Sequence, residues 1–248
     1  MCGRFSLQTP LNQLIKLFDG LPFPYDYLPR KQIAPTQQVL SIRQNDSDQL
    51  EAVWMQWGLI PSWAKDAKIG SKMINARSET VDSKPAFRAA FRKRRCLILA
   101  DAFYEWRRQG SAKQAYRIYP TVGDSPIFCF AGLWESWHPP DSHSASSTSV
   151  QLELFSDHPF ENPNSNDPVD RIETRPKRPK GTHLTETCTI LTTAANNKIS
   201  HLHDRMPVIL NKDQHPTWLD HQNSNLSTLI SLFQPVFDGL IDFQPIQL

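Results

Sequence analysis

The sequence predicts an α+β fold in which a mainly antiparallel sheet forms a barrel-like core and short helices flank it. Short β-branched or aromatic segments, separated by clusters of Pro, Gly, Asp and Ser, are typical of strands. Few segments have helical periodicity, and this balance favours an antiparallel sheet over alternating strands and long helices. The predicted strands cover residues 38–43, 52–59, 96–106, 114–119, 127–134 and 188–193.

Two helices are predicted beside these strands. In the first, Thr9 is the N-cap and Pro10 the first helical residue, and apolar side chains at helical spacing continue to Phe18 before Gly20 ends the run. The second helix, over residues 85–95, has two phenylalanines four residues apart, and most of its other side chains are basic. One narrow apolar face on a basic helix predicts an element packed on the domain surface.

We expect one domain spanning residues 1–248, interrupted by an insertion at about 139–181. The insertion is rich in Ser, Pro, Asn and Asp and has too few apolar side chains to bury a core, so it is expected to be disordered. It holds seven acidic and five basic residues, which leaves 22 basic against 18 acidic residues elsewhere. This small excess excludes binding driven by total charge, so any nucleic-acid contact needs a local basic surface.

The cysteine pattern and the hydropathy indicate a soluble, cytoplasmic protein, expected to be associated with the nucleoid. The four cysteines have no CxxC spacing, and neither a signal-peptide pattern nor an apolar run of membrane-spanning length occurs. His201 and His203 raise the possibility of a metal, but no further ligands occur at a familiar spacing. We therefore expect no membrane contact, no metal and no cofactor.

The sequence opens with Met1 followed by Cys2, and this order has a specific chemical consequence. A small second residue permits removal of Met1, which would leave Cys2 with both a free amine and a thiol. Such an aminothiol condenses with an aldehyde to an imine and then closes to a five-membered thiazolidine. Both groups titrate close enough to neutrality to retain nucleophilic populations. A Met-Cys start also occurs by chance in proteins where it has no role.

Two further segments carry candidate polar groups. Asn75 and Arg77 lie two residues apart and share one side of an extended chain, where an amide holds a polar intermediate and a guanidinium holds a phosphate. The alternative is an Asx-turn before a helix. Glu105 lies between aromatic residues at the end of an apolar run, where burial raises a carboxyl pKa toward the range of a proton shuttle. The alternative is a Glu on an edge strand facing solvent.

A last candidate group precedes a predicted strand near the C-terminal end. His201 and His203 lie beside a charged pair, and either imidazole is suited to act as acid and base near neutral pH.

Taken in order, these segments resemble the SRAP family, the SOS response-associated peptidase proteins. The matching motifs are Cys2-Gly3-Arg4, Ala34-Pro35-Thr36, Trp57 through Trp63, Asn75 through Glu79, Asp101 through Trp106, Ala131 through Glu135, Thr192 through Asn196, and His203 through Pro207. The match covers nearly the whole chain outside the insertion. No single motif is specific, but their joint order is.

The resemblance implies a single SRAP-like domain that joins Cys2 covalently to abasic sites in single-stranded DNA, a lyase-like activity that protects the lesion. It implies that Cys2 is the nucleophile, Asn75 positions the adduct, Glu105 moves protons, and His203 protonates the sugar oxygen. His201 falls outside the family position and is expected to be structural. The same chemistry implies self-removal of Met1, and a thiol peptidase acting on other proteins is the alternative.

The resemblance also implies how DNA is held. Arg4 and Arg77 would bind phosphates, while Pro35 and Trp63 would offer surfaces for the bent strand or a base. Three other tryptophans are expected in the core: Trp54, Trp106 and Trp134. Gln32 stands where many relatives have Asn. The chain also ends soon after residue 243, which leaves the pairing of the last strand in doubt.

The insertion contains a separate candidate motif, Gln151-Leu152-Glu153-Leu154-Phe155. It resembles the peptide by which bacterial replication and repair proteins bind the sliding clamp. An apolar anchor of Leu152, Leu154 and Phe155, placed after Gln151 in a flexible loop, is suited to such docking. The alternatives are that these side chains attach the loop to the domain, or that the protein is a clamp-recruited module that binds single strands without a covalent bond. The protein is expected to be a monomer.

Overall fold

A computed structural model of the chain describes residues 2–110, 112–121, 126–139 and 184–247. The strands in these residues are β1 (Phe5–Leu7), β2 (Arg30–Ile33), β3 (Gln38–Gln44), β4 (Leu50–Trp57), β5 (Asn75–Arg77), β6 (Arg95–Ala100), β7 (Ala102–Gln109), β8 (Ala112–Pro120), β9 (Phe128–Trp137), β10 (Thr185–Ala194), β11 (Arg205–Pro207) and β12 (Ile241–Ile246). The helices are α1 (Leu11–Leu17), α2 (Arg88–Lys93), α3 (His215–Leu219) and α4 (Leu226–Ser231). Short 3-10 turns cover Ala67–Lys72, Ser78–Thr80, Lys212–Gln214 and Asp238–Leu240. Within the described ranges, no helix is both long enough and apolar enough to cross a membrane.

Five strands close into a barrel. Strand β3 pairs with β4 and β6, β6 pairs with β9, and β9 pairs with β10, all antiparallel. The ring closes where β10 pairs in parallel with β4, at Thr187 opposite Gln56 and Cys188 opposite Trp57. Farther along β10, β5 continues this parallel edge and β11 adds an antiparallel pairing. The predicted α+β fold with a mainly antiparallel, barrel-like sheet is confirmed.

A second, antiparallel sheet packs against this barrel in the order β12-β8-β7-β1-β2. Phe5 of β1 and Phe103 of β7 each contact Phe130 of the barrel, with ring centroids 6.0 Å apart. Aromatic side chains from both sheets therefore fill the space between them. The last strand, β12, pairs with β8 from Ile241 to Ile246, so the doubt about its pairing is removed.

The predicted strand at 96–106 is wrong in one respect, because Asp101 divides it between the two sheets. The Asp101 amide donates to Ser6 O at 2.8 Å, and its carboxylate accepts the Ser6 hydroxyl at 2.5 Å. The same carboxylate accepts the backbone N–H groups of Gln8 and Thr9. Residues before Asp101 belong to the barrel and residues after it to the second sheet. Because apolar residues lie on both sides of Asp101, the sequence pattern does not reveal this change.

Both predicted helices form, with different boundaries. Pro10, in an extended conformation, is the N-cap of α1, and Thr9 instead donates its backbone N–H to Asp101 at 3.1 Å. Thr9 as the N-cap was therefore wrong. The second helix is limited to Arg88–Lys93, because the chain before it forms turns.

The prediction of three core tryptophans holds only in part: all three are partly buried, and Trp54 and Trp134, but not Trp106, pack against the core. Each contacts a polar or charged partner. Trp54 donates to the Asp26 carboxylate at 2.8 Å. Lys113 lies over the ring of Trp106, and Arg43 lies over the ring of Trp134. The tryptophans without exposed surface are Trp57 and Trp218. Spacing in the sequence identified strands correctly but could not show which face of each strand meets a charged neighbour.

Candidate functional site around Cys2

Cys2 is fully buried at the junction of the two sheets. Strand β1 pairs with β7 at Phe5 and Phe103, and the Tyr104 amide extends the ladder by donating to Arg4 O at 2.9 Å. These bonds hold the residues before Phe5 alongside β7. Arg4 O is thus satisfied by strand pairing, and the segment that follows Cys2 is a fixed part of the fold.

Asn75 connects the first residues to the barrel. Its side-chain amide donates to Cys2 O at 2.8 Å, while β5 holds Asn75 in parallel register with Ile190 of β10. The other side-chain atom, Asn75 Oδ1, is buried and has no hydrogen-bond partner among the described residues. A buried acceptor without a donor is costly unless something else binds there. The amide therefore fixes Cys2 and leaves one acceptor available.

Glu105 supplies the carboxylate near Cys2. Its side chain is only 3% exposed, and burial raises the pKa of this carboxyl above its ordinary value. Positive charge at the chain's N-terminus and at His203 opposes that rise. A carboxyl shifted in this direction retains its proton to higher pH, which suits a group that both accepts and donates protons.

The Cys2 thiol is held in its neutral form. Burial raises its pKa, the charge of Glu105 raises it further, and a contact from Sγ to Arg4 O at 3.9 Å opposes the rise. A buried thiol of this kind is a poor nucleophile until a base removes its proton. The thiol and Glu105 are close enough to interact electrostatically, so the carboxylate is the nearest candidate for that base.

His203 completes this group, and its orientation is fixed by the backbone. The Arg205 amide donates to His203 Nδ1 at 2.9 Å, so the neutral ring carries its proton on Nε2. Asp204 Oδ1 lies 2.8 Å from the same nitrogen, a contact that requires a proton on Nδ1, as in the charged ring. Two alternative partners at Nδ1 suit the two protonation states of an acid and base. Cys2, Asn75, Glu105 and His203 are hereafter the Cys2 cluster.

Arg205 ties the His203 segment to the Asn75 segment. Its guanidinium binds both carboxylate oxygens of Glu79, at 2.5 and 2.9 Å, and donates to Thr192 O at 2.6 Å. The bond from Arg205 lowers the pKa of the Glu79 carboxyl. Because Glu79 follows β5 and Thr192 lies on β10, one side chain fixes three segments of the site.

The Thr-x-x-Ala-Asn motif holds the loop before His203. Asn196 is buried, donates to Val236 O at 2.9 Å and accepts the Ile199 amide at 3.3 Å. The Ala195 amide donates to Asp204 O at 2.9 Å. This motif therefore positions the loop before His203, although it offers no reactive group of its own.

The four residues predicted to contact DNA differ in exposure. Arg4 is half-buried and donates to Gln32 Oε1 at 2.7 Å, whereas Arg77 is exposed at the end of β5. Pro35 is half-buried in a turn, and Trp63 is 60% exposed. Gln32 therefore bonds to Arg4 through its side chain, as well as standing before the turn.

Three other sequence predictions concern His201, a metal site and the clamp-like segment. The ring of His201 packs 5.2 Å from Phe243, which agrees with a structural role. Groups of three or more His, Cys, Asp or Glu side chains suited to a metal are absent from the part of the chain that the structure describes. The clamp-like segment at 151–155 lies outside the described residues, so its role stays a prediction.

Sequence reasoning did not identify Asp204 and Arg205 as partners of His203. The signal was present, because both belong to the matched His203 through Pro207 motif and follow the histidine directly. Their roles depend on a backbone amide turning back onto Nδ1, a contact that no side-chain pattern encodes. The role of Asp101 in dividing the strand is also not predictable from the sequence, because its hydrogen-bond partner Ser6 lies 95 residues away.

These observations define a class: proteins that bury a cysteine at position 2 between a mixed β-barrel and a second sheet, beside groups able to exchange protons. The model for the SOS response associated peptidase (SRAP) family matches residues 1–156 and 167–247. The chain therefore belongs to the SRAP family, as its motifs predicted.

Several relatives have been named for their activity. The chain is 39% identical over 238 residues to the abasic site processing protein YoaM of Bacillus subtilis (strain 168), covering 95% of this chain and 86% of YoaM. It is 37% identical over 238 residues to YoqW of the same organism, with 95% and 87% covered. The abasic site processing protein HMCES of Xenopus tropicalis is 30% identical over 215 residues, which cover 78% of this chain and 52% of HMCES.

Solved structures show the same fold. A crystal structure of a protein from Bacteroides thetaiotaomicron superimposes with a TM-score of 0.76 at 22% identity, covering 99% of this chain and 92% of that one. A protein from Bordetella bronchiseptica gives a TM-score of 0.70 at 20% identity, with both chains covered completely. At these identities the likeness concerns the fold alone.

Proposed function

We propose that this protein processes abasic sites by forming a thiazolidine between Cys2, freed of Met1, and the ring-opened sugar aldehyde in single-stranded DNA. The observation that carries the proposal is the Cys2 cluster itself. The Asn75 amide donates to Cys2 O at 2.8 Å, and the Glu105 carboxyl interacts electrostatically with both the Cys2 thiol and His203. The names of the relatives support the substrate class.

The first bond joins the Cys2 amine to the aldehyde carbon at C1′. Loss of one water then gives an imine, and the Cys2 thiol adds to the imine carbon. The thiol proton passes to the nitrogen, which becomes the secondary amine of the thiazolidine. The sequence consumes no oxidant or reductant and releases one water. An internal cysteine cannot follow it, because its nitrogen is an amide.

Glu105 and His203 supply the proton transfers. Glu105, with its pKa raised by burial, accepts the thiol proton and returns it to the adduct. His203, as the imidazolium whose Nδ1–H bonds to Asp204, donates its Nε2 proton to the sugar ring oxygen, becomes neutral imidazole, and so opens the closed sugar to its aldehyde. Asn75 Oδ1, the buried acceptor without a partner, binds the hydroxyl of the first adduct before water leaves. The same protons moving in reverse release the DNA.

DNA contacts are assigned to the family positions. Arg4 and Arg77 bind phosphates on either side of the lesion, and Pro35 and Trp63 support the bent strand or a neighbouring base. Exposure of Arg77 and Trp63 supports these roles, since both side chains are accessible to a strand. All four members of the Cys2 cluster come from one chain, so we propose that the protein acts as a monomer.

The test is incubation of mature protein with a single-stranded oligonucleotide carrying one abasic site, followed by a denaturing gel and intact mass measurement. We expect an adduct whose mass equals protein plus oligonucleotide minus one water. Cys2→Ala, and protein with a blocked N-terminus, should give none. If wild-type protein shown to lack Met1 gives no adduct, the proposed function is wrong.

We also propose that the Cys2 cluster removes Met1 by hydrolysis of the Met1–Cys2 peptide bond. Intact mass of wild type and Glu105→Gln, prepared from the same host, tests this. Retention of Met1 only in Glu105→Gln supports self-removal, whereas loss from both points to a host aminopeptidase. Cleavage of unrelated peptides by protein with a blocked amine would instead support the thiol peptidase alternative.

Recruitment to the sliding clamp through Gln151, Leu152, Leu154 and Phe155 remains a separate proposal. A chain carrying Leu154→Ala and Phe155→Ala should lose clamp binding while its adduct yield is unchanged. Absence of clamp binding by the native chain would end this proposal without affecting the chemistry.

A further inference from the structure

Arg107 lies two residues beyond Glu105 on β7. The ladder between β7 and β8 is regular from Phe103 to Gln109, with Glu105 opposite Tyr116 and Arg107 opposite Gln114. Because side chains alternate along a strand, Phe103, Glu105 and Arg107 share one face. Phe103 is buried against the barrel, Glu105 is almost buried, and Arg107 is exposed. Along this face the strand therefore runs from the core, through the Cys2 cluster, to solvent.

The first residues of the chain run beside the same part of β7. The pairing of Phe5 with Phe103 continues to Arg4 and Tyr104, and the strands are antiparallel. Cys2 and Gly3 therefore lie next to residues after Tyr104. Glu105 and Arg107 are separated by two strand residues, about 6.7 Å. A sugar held by Cys2 beside Glu105 would have its neighbouring phosphate within reach of the Arg107 side chain.

The Arg107 guanidinium forms no ion pair with the part of the chain that the structure describes. None of the described residues places a carboxylate within ion-pair distance of it, and its cross-strand neighbour Gln114 is neutral. Arg43 shows the contrast, because Glu51 and Glu186 bind its guanidinium at 2.6 and 2.7 Å. An exposed guanidinium without a carboxylate presents its full fork of donors to an external anion.

We propose that Arg107 binds the DNA phosphate adjacent to the abasic sugar, on the flank of the lesion next to β7. This rests on the proposed function, because it takes the sugar to be held at Cys2. It adds a phosphate contact from the second sheet to those assigned to Arg4 and Arg77. A strand held from both sides would keep its sugar in place while the imine forms.

Arg108 provides a matched control on the same strand. It has the same charge, is also exposed, and has no carboxylate partner among the described residues, but alternation puts it on the opposite face with Trp106. Its cross-strand neighbour is Lys113 rather than Gln114. A general effect of net charge would weaken DNA binding equally in Arg107→Gln and Arg108→Gln. A specific contact would weaken it in the first only.

The experiment measures equilibrium binding without the covalent step. Cys2→Ala protein, alone or with either Arg→Gln change, is titrated with a single-stranded oligonucleotide containing a stable abasic analogue that lacks the aldehyde. Affinity is recorded across a series of salt concentrations. We expect Arg107→Gln to weaken binding by about three- to tenfold and to reduce the slope of log K against log salt by about 0.7. Arg108→Gln should change affinity by less than about twofold.

Two outcomes overturn the proposal and are distinguishable from failure of the proposed function. If wild-type protein forms the adduct but Arg107→Gln and Arg108→Gln bind alike, the phosphate contact is wrong and the capture chemistry remains. If wild type forms no adduct and the Cys2→Ala parent does not bind the analogue, the proposed function fails and this contact fails with it. Thermal melting of both variants checks that each retains the parent's stability.

Discussion

Arg95 on β6 and Asn75 on β5 are polar residues of the sheet that forms the barrel, but their side chains differ in hydrogen bonding. Each of the five N–H groups of the Arg95 guanidinium has an acceptor, the backbone carbonyls of Phe91, Arg92, Trp218, Asp220 and Asn223. Asn75 instead leaves Oδ1 buried and unpartnered among the described residues. A satisfied group fixes structure, whereas an unsatisfied one retains binding capacity for something not yet present.

Burial disfavours the charged form of the ionisable groups in both regions, but the outcome at neutral pH differs. Burial lowers the pKa of Arg95 to about 10, so this side chain is still charged at neutral pH and keeps all five donors. Around Cys2, burial raises the pKa of both the thiol and the Glu105 carboxyl, so each disfavours its charged form. We therefore expect the Arg95 region to stabilise the fold. We expect the Cys2 cluster to lower stability, because its buried groups are arranged for reactivity.

The largest effect is expected from Arg95→Ala. Removing the guanidinium leaves five carbonyls without donors and a cavity under Trp218, which should lower the free energy of unfolding by about 3–4 kcal/mol. Urea denaturation measures it. The exposed neighbour Arg92→Ala should stay within about 0.5 kcal/mol of wild type. If Arg95→Ala does not fold, Arg95→Lys, which retains a charge and three donors, should show a smaller loss. Equal stability of Arg95→Lys and wild type would break the comparison.

Asn75→Ala tests the opposite side of the comparison. The change removes the anchor of Cys2 O, so the rate of adduct formation should fall by about 10- to 100-fold. Stability should change by less than about 1 kcal/mol, because the lost bond is offset by removing the unpartnered Oδ1. Single-turnover gels and urea denaturation measure the two quantities.

Asn75→Asp sharpens this test, since it keeps the oxygen acceptor and removes the donor to Cys2. It should be at least as slow as Asn75→Ala. A wild-type rate in Asn75→Asp would show that the bond to Cys2 O is dispensable.

The pH dependence of the stability of Glu105→Gln should distinguish the effect of Glu105 on stability from its effect on activity. A carboxyl whose pKa is raised on folding is stabilising in its neutral form, and that stability is lost as pH rises toward the folded-state pKa. The difference between Glu105→Gln and wild type should therefore be absent at acid pH. It should open above the ordinary Glu pKa of about 4.3, with glutamine the more stable, and become constant above the folded-state value.

Each unit by which the folded pKa exceeds the unfolded one contributes about 1.4 kcal/mol to that difference. Thermal melting across pH records it, and adduct formation should be lost in the same variant. A Glu105→Gln protein less stable than wild type at neutral pH would contradict the assignment.

The smallest effect is expected from Glu79→Gln, which weakens the bidentate pair with Arg205. Glu79 is about half exposed, so the loss of stability should be only about 0.5 kcal/mol. Because pairing lowers the Glu79 pKa, this loss should shrink as pH falls through that carboxyl's folded-state pKa. The adduct rate should fall a few fold, since Arg205 also sets the position of His203.

Glu51→Gln is the matched control for that change, because Glu51 pairs with Arg43 away from the Cys2 cluster. It should cost similar stability and leave the adduct rate unchanged. Equal rates in both variants would mean that the Glu79 pair serves stability only.

The sequence predicted those features that depend on residues close together in the chain. Spacing and composition predicted the fold class, two helices and six strand segments, which correspond to seven strands because Asp101 divides one of them. The four members of the Cys2 cluster were named from ordered motifs. What it could not show depends on long-range contacts. The division at Asp101 requires Ser6, and the short strands β1, β5 and β11 have too few residues to form a pattern. The partners of His203 depend on a backbone amide, which has no side-chain signature.

The assembly of the Cys2 cluster from distant segments has a consequence for biosynthesis. Cys2 is translated about 200 residues ahead of His203, and Asn75 and Glu105 emerge between them. At about 5–20 residues per second, roughly 10–40 s pass before the last member is made. During that interval the first residues have no barrel to enter and are open to ribosome-associated enzymes and to small aldehydes. Host processing of Met1 therefore has a period before folding, whereas the proposed self-removal by the Cys2 cluster becomes possible only after His203 has been made.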